Sequence, residues 1–188
     1  MNAAGGYITP GFLDIHRHGD WQAFGNGDDQ LLNRQGLTTV VNGNCGLSVA
    51  PAGEKFEKEI AGFLSSVTGD SRNRGTEIMS TMSSYMSALE KERRSVNTGM
   101  LAGNGTIRAG VKGYASGKLS KEEVHQVWDA VEESLAAGVL GISLGIAYAP
   151  EFEYDRDGLV EALQPLKGTD IPVTVHIRNE GDGILLAL

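Results

Sequence analysis

The sequence Gly-Phe-Leu-Asp-Ile-His-Arg-His at residues 11–18 predicts a short buried strand that ends in two histidines. Side chains alternate between the two faces of a strand, so Asp14, His16 and His18 are expected on one face. Buried polar side chains need partners, and two imidazoles one pleat apart can bind the same metal ion. A lone histidine is usually just hydrogen-bonded. A His-x-His pair that runs into Gly19-Asp20 favours a metal site instead.

The composition is that of an ordinary globular protein. The chain has 188 residues, 40% hydrophobic and 21% charged, which fits one domain over residues 1–188 or a piece of a larger one. Its 16 basic and 24 acidic residues give a net charge of −8, which argues against nucleic acid and anionic membranes as partners. The single cysteine excludes an internal disulfide and favours a reducing compartment. With no membrane-spanning run and no signal peptide at residues 1–6, a cytoplasmic protein is expected.

Strand and helix patterns alternate along the chain, which predicts a parallel sheet covered by helices. The strands are predicted at residues 11–18, 37–41, 96–103, 139–144 and 171–176. The helices are predicted at residues 28–35, from about 56 to 67, from an N-cap at Thr76 to 89, from Ser120 to 137, at 157–166 and from 183 onward, with a polar break at 69–75. Five strand units fit either an open doubly wound sheet or part of a (β/α)₈ barrel, which usually needs about 250 residues.

In both architectures, ligands bind beyond the carboxyl ends of the strands. Three of the four histidines and the only cysteine fall at these positions, and His/Cys sets of this kind suit zinc. The residues that follow strand ends are His16 and His18, Cys45, Asn104 and Arg108, Tyr148, and His176 with Arg178 and Glu180.

Several blocks of this sequence resemble the amidohydrolase superfamily, and its D-aminoacylase (N-acyl-D-amino-acid deacylase) branch in particular. The His-x-His motif alone is moderately specific, whereas the Asn-Cys-Gly and His-x-Arg-x-Glu blocks added to it are specific. The resemblance covers nearly the whole chain in the right order. Its blocks are residues 10–18, 38–51, 104–108, 141–148 and 176–182.

The resemblance implies a zinc hydrolase on an incomplete TIM-barrel-like fold of about five β/α units. It implies hydrolysis of N-acyl-D-amino acids, small-molecule substrates whose amide carbonyl is attacked by a metal-activated water. His16 and His18 match ligands of one metal position, Cys45 matches a ligand that relatives often replace by a modified lysine, and His176 matches a ligand of the tighter site. Tyr148 matches a tyrosine that binds the substrate carboxylate, and Arg178 is predicted to contact substrate with it.

The sequence departs from the family pattern in three ways. The family has another histidine ligand after the sixth strand and a catalytic aspartate after the eighth, so this chain is expected to lack the general base and to be inactive by itself. The small β domain that precedes the family barrel has no counterpart, and Asn104 stands where the family commonly has histidine. A half-open barrel also leaves strand edges unpaired, so homo-oligomerisation or aggregation is expected.

Two alternatives come from other classes of protein. Residues 141–145 match the G-x-S-x-G nucleophile elbow, and Asp170 and His176 follow Ser143 in the expected order for a serine hydrolase. The elbow needs a helix directly after the serine, however, and residues 146–150 predict a loop. The second alternative is a non-catalytic fragment that binds metal or a partner. The Gly-Asn-Gly at 103–105 is a negligible match to a phosphate-binding loop, because the motif has no third glycine and no helix start is predicted after it.

Overall fold

The computed structural model describes residues 2–25, 28–69 and 75–187, and its framework is a single sheet of five parallel strands. The strands are β1 (Phe12–Asp14), β2 (Leu37–Asn42), β3 (Asn97–Gly103), β4 (Gly141–Gly145) and β5 (Val173–His176). Each strand pairs with the next one in the chain, so the order across the sheet is the order of the sequence.

Helices connect the strands. They are α1 (Asp28–Arg34), α2 (Glu57–Thr68), α3 (Met82–Leu89), α4 (Asn104–Lys112), α5 (Lys121–Ala136), α6 (Arg156–Ala162) and the short α7 (Ile184–Ala187). Single 3₁₀ turns lie at Gln22–Phe24, Thr76–Met79, Glu151–Glu153 and Gln164–Leu166. Within the described ranges, the helices are too short or too polar to cross a lipid bilayer.

The strand order distinguishes the two predicted architectures. A doubly wound sheet reverses its strand order at a switch point, which places helices on both faces. Here five parallel strands follow one another without reversal. Because crossovers between parallel strands are right-handed, this order puts every connecting helix on the same face and curls the sheet. The fold is therefore a half-barrel of the TIM type, as the sequence predicted.

The core lies between the sheet and its layer of helices. Ile60 and Leu64 of α2 are fully buried, whereas Phe63 and Val67 of the same helix remain 41% exposed. The other large side chains with almost no exposed surface include Met79, Met82, Tyr85, Met100, Ile107, Val127, Val131 and Ile142. This packing fixes β3, the central strand, and its neighbour β4 against α3, α4 and α5.

Three local predictions were wrong. The first strand ends at Asp14 and is mostly exposed, so His16 and His18 lie in the loop after it and not on a buried strand. The cap of α3 is Thr81, whose side chain accepts a hydrogen bond from the Ser84 amide, and not Thr76. A helix, α4, begins directly after β3, where sequence predicted no helix start. Most of the polar break predicted at 69–75 lies outside the described residues.

Candidate metal centre

Two imidazoles and one thiol meet beyond the carboxyl ends of β1 and β2. His16 Nε2 lies 3.2 Å from Cys45 Sγ, and the rings of His16 and His18 are 5.8 Å apart. One ligand atom from each of these three residues can be chosen so that all lie within 4.8 Å of one another. The three residues follow two adjacent, paired strands, so His16 and Cys45 lie close together although they are 29 positions apart in the sequence.

The end of β5 brings His176 to the same place from the other side of the sheet. Its Nδ1 lies 3.8 Å from Cys45 Sγ. The Tyr148 hydroxyl, in the loop after β4, lies 3.0 Å from both nitrogens of the His176 ring. The Glu180 carboxylate lies 3.6 Å from His176 Nε2. Cys45 therefore stands between the His16–His18 pair and the His176–Tyr148 pair.

A buried asparagine holds the histidine loop in place. Asn44 Nδ2 donates to the carbonyl oxygens of Ile15 and Arg17 at 3.3 and 3.4 Å, the residues on either side of His16. It also donates to the Val41 carbonyl at the end of β2 at 3.1 Å, and Arg17 N donates to that same carbonyl. The loop that carries both histidines is thus tied to the strand that carries Cys45.

Hydrogen bonds from a residue of β4 stabilise the turn at Cys45. Cys45 has a φ of +56°, a left-handed conformation that is uncommon for a residue with a β-carbon. The buried Ser143 hydroxyl accepts from Gly46 N at 2.9 Å and donates to the Gly43 carbonyl at 2.5 Å, on both sides of that turn. Ser143 lies within β4 and no helix follows it, so it is a structural residue and the nucleophile-elbow alternative is wrong.

A buried carboxylate packs against the same turn. Glu151 is 1% exposed and accepts hydrogen bonds from Asn104 Nδ2 at 2.8 Å and from Gly145 N at 2.6 Å. Gly105 N is a further donor to it. A β-carbon at Gly46 would clash with the Glu151 carboxylate, which is why glycine is required there. Burial raises the pKa of Glu151 to about 7, although these donors and Arg108 oppose the increase.

Asp20 has a similar structural role on the other side of the turn. It is fully buried, and its carboxylate accepts from Gly43 N at 3.3 Å and from Val49 N at 3.0 Å. Burial raises its pKa to about 7 against these hydrogen bonds. Asp20 and Glu151 together fix the segment that presents Cys45.

The electrostatics of the cluster favour a neutral histidine and a protonated thiol. The pKa of His18 is lowered, chiefly by burial and then by repulsion from His16 and His176. The pKa of Cys45 is raised, chiefly by burial and then by the negative charges of Glu180 and Glu151. A neutral imidazole is the form that binds metal, and a divalent cation reverses the shift of a thiol that coordinates it.

The donor set fits zinc. Bonds of about 2.0 Å to nitrogen and 2.3 Å to sulfur around a tetrahedral ion place neighbouring donors about 3.5 Å apart. The observed Sγ–N distances of 3.2 and 3.8 Å lie on either side of that value. His18 Nδ1 is buried and has no hydrogen-bond partner among the described residues. Buried polar atoms without a partner are uncommon, and a bound ion would supply a partner for this nitrogen.

Of the two predicted substrate residues, Tyr148 contacts the His176 ring, whereas Arg178 is bound to backbone carbonyls. Arg178 donates through Nη1 to the Phe152 carbonyl at 3.3 Å and through Nη2 to the Tyr154 carbonyl at 2.5 Å. These contacts tie the segment after β5 to the loop after β4, which carries Tyr148. Substrate contact by Tyr148 and Arg178 stays a prediction.

Sequence reasoning missed the residues that support the site. The contacts by which Asn44, Asp20 and Glu151 support the site include ones between residues 23 to 47 positions apart, which no local sequence pattern reveals. The available signal was polarity: Asn44 and Asp20 lie beside predicted ligands in otherwise apolar or glycine-rich stretches.

Comparison with known proteins gives a consistent result along the whole chain. The family profile described as "Amidohydrolase family" matches residues 7–187. A D-aminoacylase and an N-acyl-D-glutamate deacylase, both from Alcaligenes xylosoxydans xylosoxydans, are 30% and 31% identical to it over the full chain. The chain spans 37% of the length of each of these curated relatives.

A solved structure of related sequence has the same fold. The N-acyl-D-glutamate deacylase from Bordetella bronchiseptica, complexed with zinc and a phosphonate inhibitor, is 28% identical and superposes with a TM-score of 0.78. The match covers 95% of this chain and 36% of that structure.

Proposed function

Because the chain belongs to the amidohydrolase family, we propose that it carries the metal-binding half of a zinc-dependent deacylase that hydrolyses N-acyl-D-amino acids. The observation that supports this most strongly is the convergence of His16, His18, Cys45 and His176 from three strand ends. The names of the similar proteins, a D-aminoacylase and two N-acyl-D-glutamate deacylases, support the substrate class.

We assign His16, His18, Cys45 and His176 as the residues that hold zinc. When bound, the ion would supply Lewis-acid polarisation of the amide carbonyl and lower the pKa of a water molecule. In the reaction, the C–N bond of the amide breaks, a C–O bond to water forms, and the leaving nitrogen gains a proton. The products are a carboxylate and a free D-amino acid.

The chain's own residues would hold the substrate and organise the centre. The Tyr148 hydroxyl, which lies 3.0 Å from the His176 ring, would bind the substrate carboxylate beside the centre. Asn44 and Ser143 hold the two ligand-bearing segments in place, so ligand geometry does not have to be built when the ion binds. The three-residue ligand cluster found within the described residues contains no Asp or Glu, so we assign no general base to this chain.

A non-catalytic metal-binding chain is the second candidate. The His16–His18–Cys45 cluster itself holds no carboxylate and the nearby Glu180 lies against His176 Nε2 at 3.6 Å, whereas hydrolysis by a zinc enzyme normally needs a base to accept the proton of water. The cytoplasmic location stays a prediction from cysteine usage.

Metal content measured beside turnover separates these candidates. We expect purified chain to retain zinc through dialysis, and His16→Ala and His176→Ala to lose most of it. His125→Ala is the matched control, because His125 is an exposed helix residue outside the cluster. Stoichiometric zinc together with release of D-amino acid from N-acetyl-D-amino acids, but not from their L forms, would establish the deacylase.

Stoichiometric zinc without turnover would support the second candidate, a non-catalytic metal-binding chain. If the wild-type chain and His16→Ala held the same trace of zinc, both candidates would be wrong.

A further inference from the structure

A second cavity lies apart from the metal centre, between α4, α5 and the start of α6. Its volume is about 130 Å³, and the described residues that line it include none of the four proposed zinc ligands. Arg108 and Tyr154 contribute buried side chains to its lining, and Leu119 and Val124 contribute apolar surface. The cavity lies among the connections that follow β3 and β4, since its lining comes from α4, α5, α6 and the segments before α5 and α6.

A buried guanidinium without enough acceptors lines the cavity. Arg108 is 1% exposed, and its guanidinium carbon lies 5.2 Å from the centre of the Tyr154 ring. Its Nη2 donates to the Gly117 carbonyl at 2.8 Å, whereas Nε and Nη1 have no hydrogen-bond partner among the described residues. The nearby Glu151 is already occupied by three other donors. Because arginine stays charged when buried and unpaired donors are costly, the cavity is suited to an anionic oxygen.

The opposite end of the cavity carries negative charge. Asp157 and Glu161 line it from one face of α6, four residues apart, and both are exposed. The other charged groups of the rim are already engaged: Lys118 pairs with Asp155, and Glu153 accepts from Gly117 N. Within the described part of the chain, the charged groups of the cavity that form no ion pair are Arg108 at the buried end and Glu153, Asp157 and Glu161 at the rim, although Lys118 also attracts Asp157.

The positive charge at the buried end of the cavity and the negative charge at its rim determine which class of ligand can bind. Phosphate or a dicarboxylate would meet the guanidinium but would be repelled by the two rim carboxylates. A ligand with one carboxylate and one ammonium group satisfies both ends. With about 30 Å³ for each water-sized group, the cavity holds roughly four or five non-hydrogen atoms, which matches glycine and is one or two atoms short of alanine.

We propose that this cavity binds a small free α-amino acid, with its carboxylate on Arg108 and its ammonium group toward Asp157 and Glu161. Leu119 and Val124 provide the wall for a hydrogen or methyl side chain. Neither a metal nor the four proposed zinc ligands enter the argument, so the proposal stands or fails separately from the deacylase function.

Calorimetric titration of the whole chain tests the ligand class. We expect saturable binding of glycine or alanine with a Kd on the order of 1 mM, and at least about tenfold weaker binding of acetate and of methylamine. The D and L forms of alanine, titrated separately, report whether the wall selects a configuration. Acetate binding as tightly as glycine would overturn the zwitterion assignment, and so would the absence of saturation with every amino acid tried.

Variants locate the site. The double variant Asp157→Asn/Glu161→Gln changes only exposed side chains and is expected to weaken glycine or alanine binding at least about tenfold, toward the level of acetate. Glu132→Gln, an exposed acid on α5 that does not line the cavity, is the matched control and should bind as wild type does. Arg108→Met should abolish binding, provided that its circular dichroism matches wild type. If Arg108→Met does not fold, the double variant still decides the question.

Binding at the metal centre must be separated from binding at this cavity, because amino acids also coordinate metals. Titrations with and without prior chelation should give the same Kd. On amide NMR spectra, glycine should shift Gly117 and Gly158 beside the cavity and leave Gly46 unchanged. Binding that vanishes on chelation, or shifts confined to Gly46, would overturn the proposal.

Discussion

Cys45 has a strained backbone conformation, and its side chain is one of the zinc ligands that we propose. Its φ of +56° costs on the order of 1–3 kcal/mol for a residue with a β-carbon, and Asp20, Ser143 and Glu151 hold the surrounding turn in place. The contacts of Asp20 and Ser143 are to the neighbours of Cys45 and not to its thiol. The turn should therefore survive a change of the side chain.

Cys45→Ser tests that separation. We expect zinc affinity to fall at least about 100-fold, because serine is not deprotonated near neutral pH and is a poor ligand for a soft metal. The metal-free stability should change by less than about 1 kcal/mol. Zinc titration and thermal unfolding with and without chelator measure the two effects. Unfolding of the metal-free variant would show instead that the thiol itself holds the turn.

Glu151 should make the stability of the chain depend on pH. Its pKa is about 7 in the folded protein against 4.5 for the free side chain, so the folded state binds the proton more tightly. The stabilisation is complete below pH 4.5 and is lost as pH rises through 7, by an amount on the order of 3 kcal/mol.

Glu151→Gln should flatten that dependence between pH 5 and pH 8 in thermal melts. Asn104 Oδ1 has no partner among the described residues, so a rotated Asn104 amide can accept from the glutamine. Asp20, also with a pKa of about 7, supplies a residual slope in the same direction. A variant with the full wild-type slope would show that Glu151 does not titrate in this range.

At the scale of helices and strands, the sequence correctly predicted the features that depend on local residue patterns. Five strands in alternation with helices were predicted in the right order. The capping box at Ser120 and Glu123 is present, with hydrogen bonds of 3.2 and 2.7 Å. The start of α4 was missed because Asn104, Gly105 and Thr106 are poor helix formers, and burial against the Gly46 turn holds them in the helix.

The candidate site shows the same difference between features that local sequence determines and features that depend on distant contacts. The convergence of His16, His18, Cys45 and His176 could be expected, because parallel strands share one carboxyl edge. That β1 would stop at Asp14 could not, because the following loop is shaped by Asn44, 29 residues further along the chain from Ile15. Contacts between distant residues, as between Asn104 and Glu151, leave no periodic trace in a single sequence.

The two threonines before α3 give a test at this scale. Thr81 Oγ1 accepts from Ser84 N at 3.0 Å, so Thr81→Ala should destabilise the protein by about 1 kcal/mol and lower its Tm by about 2–4 °C. Thr76→Ala, the position that sequence favoured, should cost less than about 0.5 kcal/mol. Thermal unfolding compares them, and equal losses would contradict the assignment of the cap.

At the scale of the whole molecule, both outer strands of the sheet expose apolar side chains. Phe12 and Leu13 of β1 are 58% and 64% exposed, and Val173 and Val175 of β5 are 39% and 47% exposed. Exposed strands at the edge of a sheet pair readily with other chains. We therefore expect this chain, studied alone, to self-associate as its concentration rises.

Val175→Lys should shift that association toward the monomer, because a charge on an edge strand opposes pairing. Val160→Lys is the matched control, since Val160 is 55% exposed but lies on a helix, α6. Sedimentation velocity over a concentration series measures both. A wild-type chain that stays monomeric, or an equal effect of the two lysines, would contradict a role for the strand edge.

The position of Cys45 between the two histidine groups has a consequence for how the chain is made. Its near neighbour His16 precedes it by 29 residues, whereas His176 follows it by 131. During synthesis on the ribosome, three of the four proposed donors leave the exit tunnel long before the fourth, so on the proposed function a nascent chain would bind zinc through the first three and recruit His176 last. An ion bound in this order cross-links the first strand to the fifth. A chain with His176→Ala should then still take up zinc weakly, but zinc should no longer protect β5 from proteolysis.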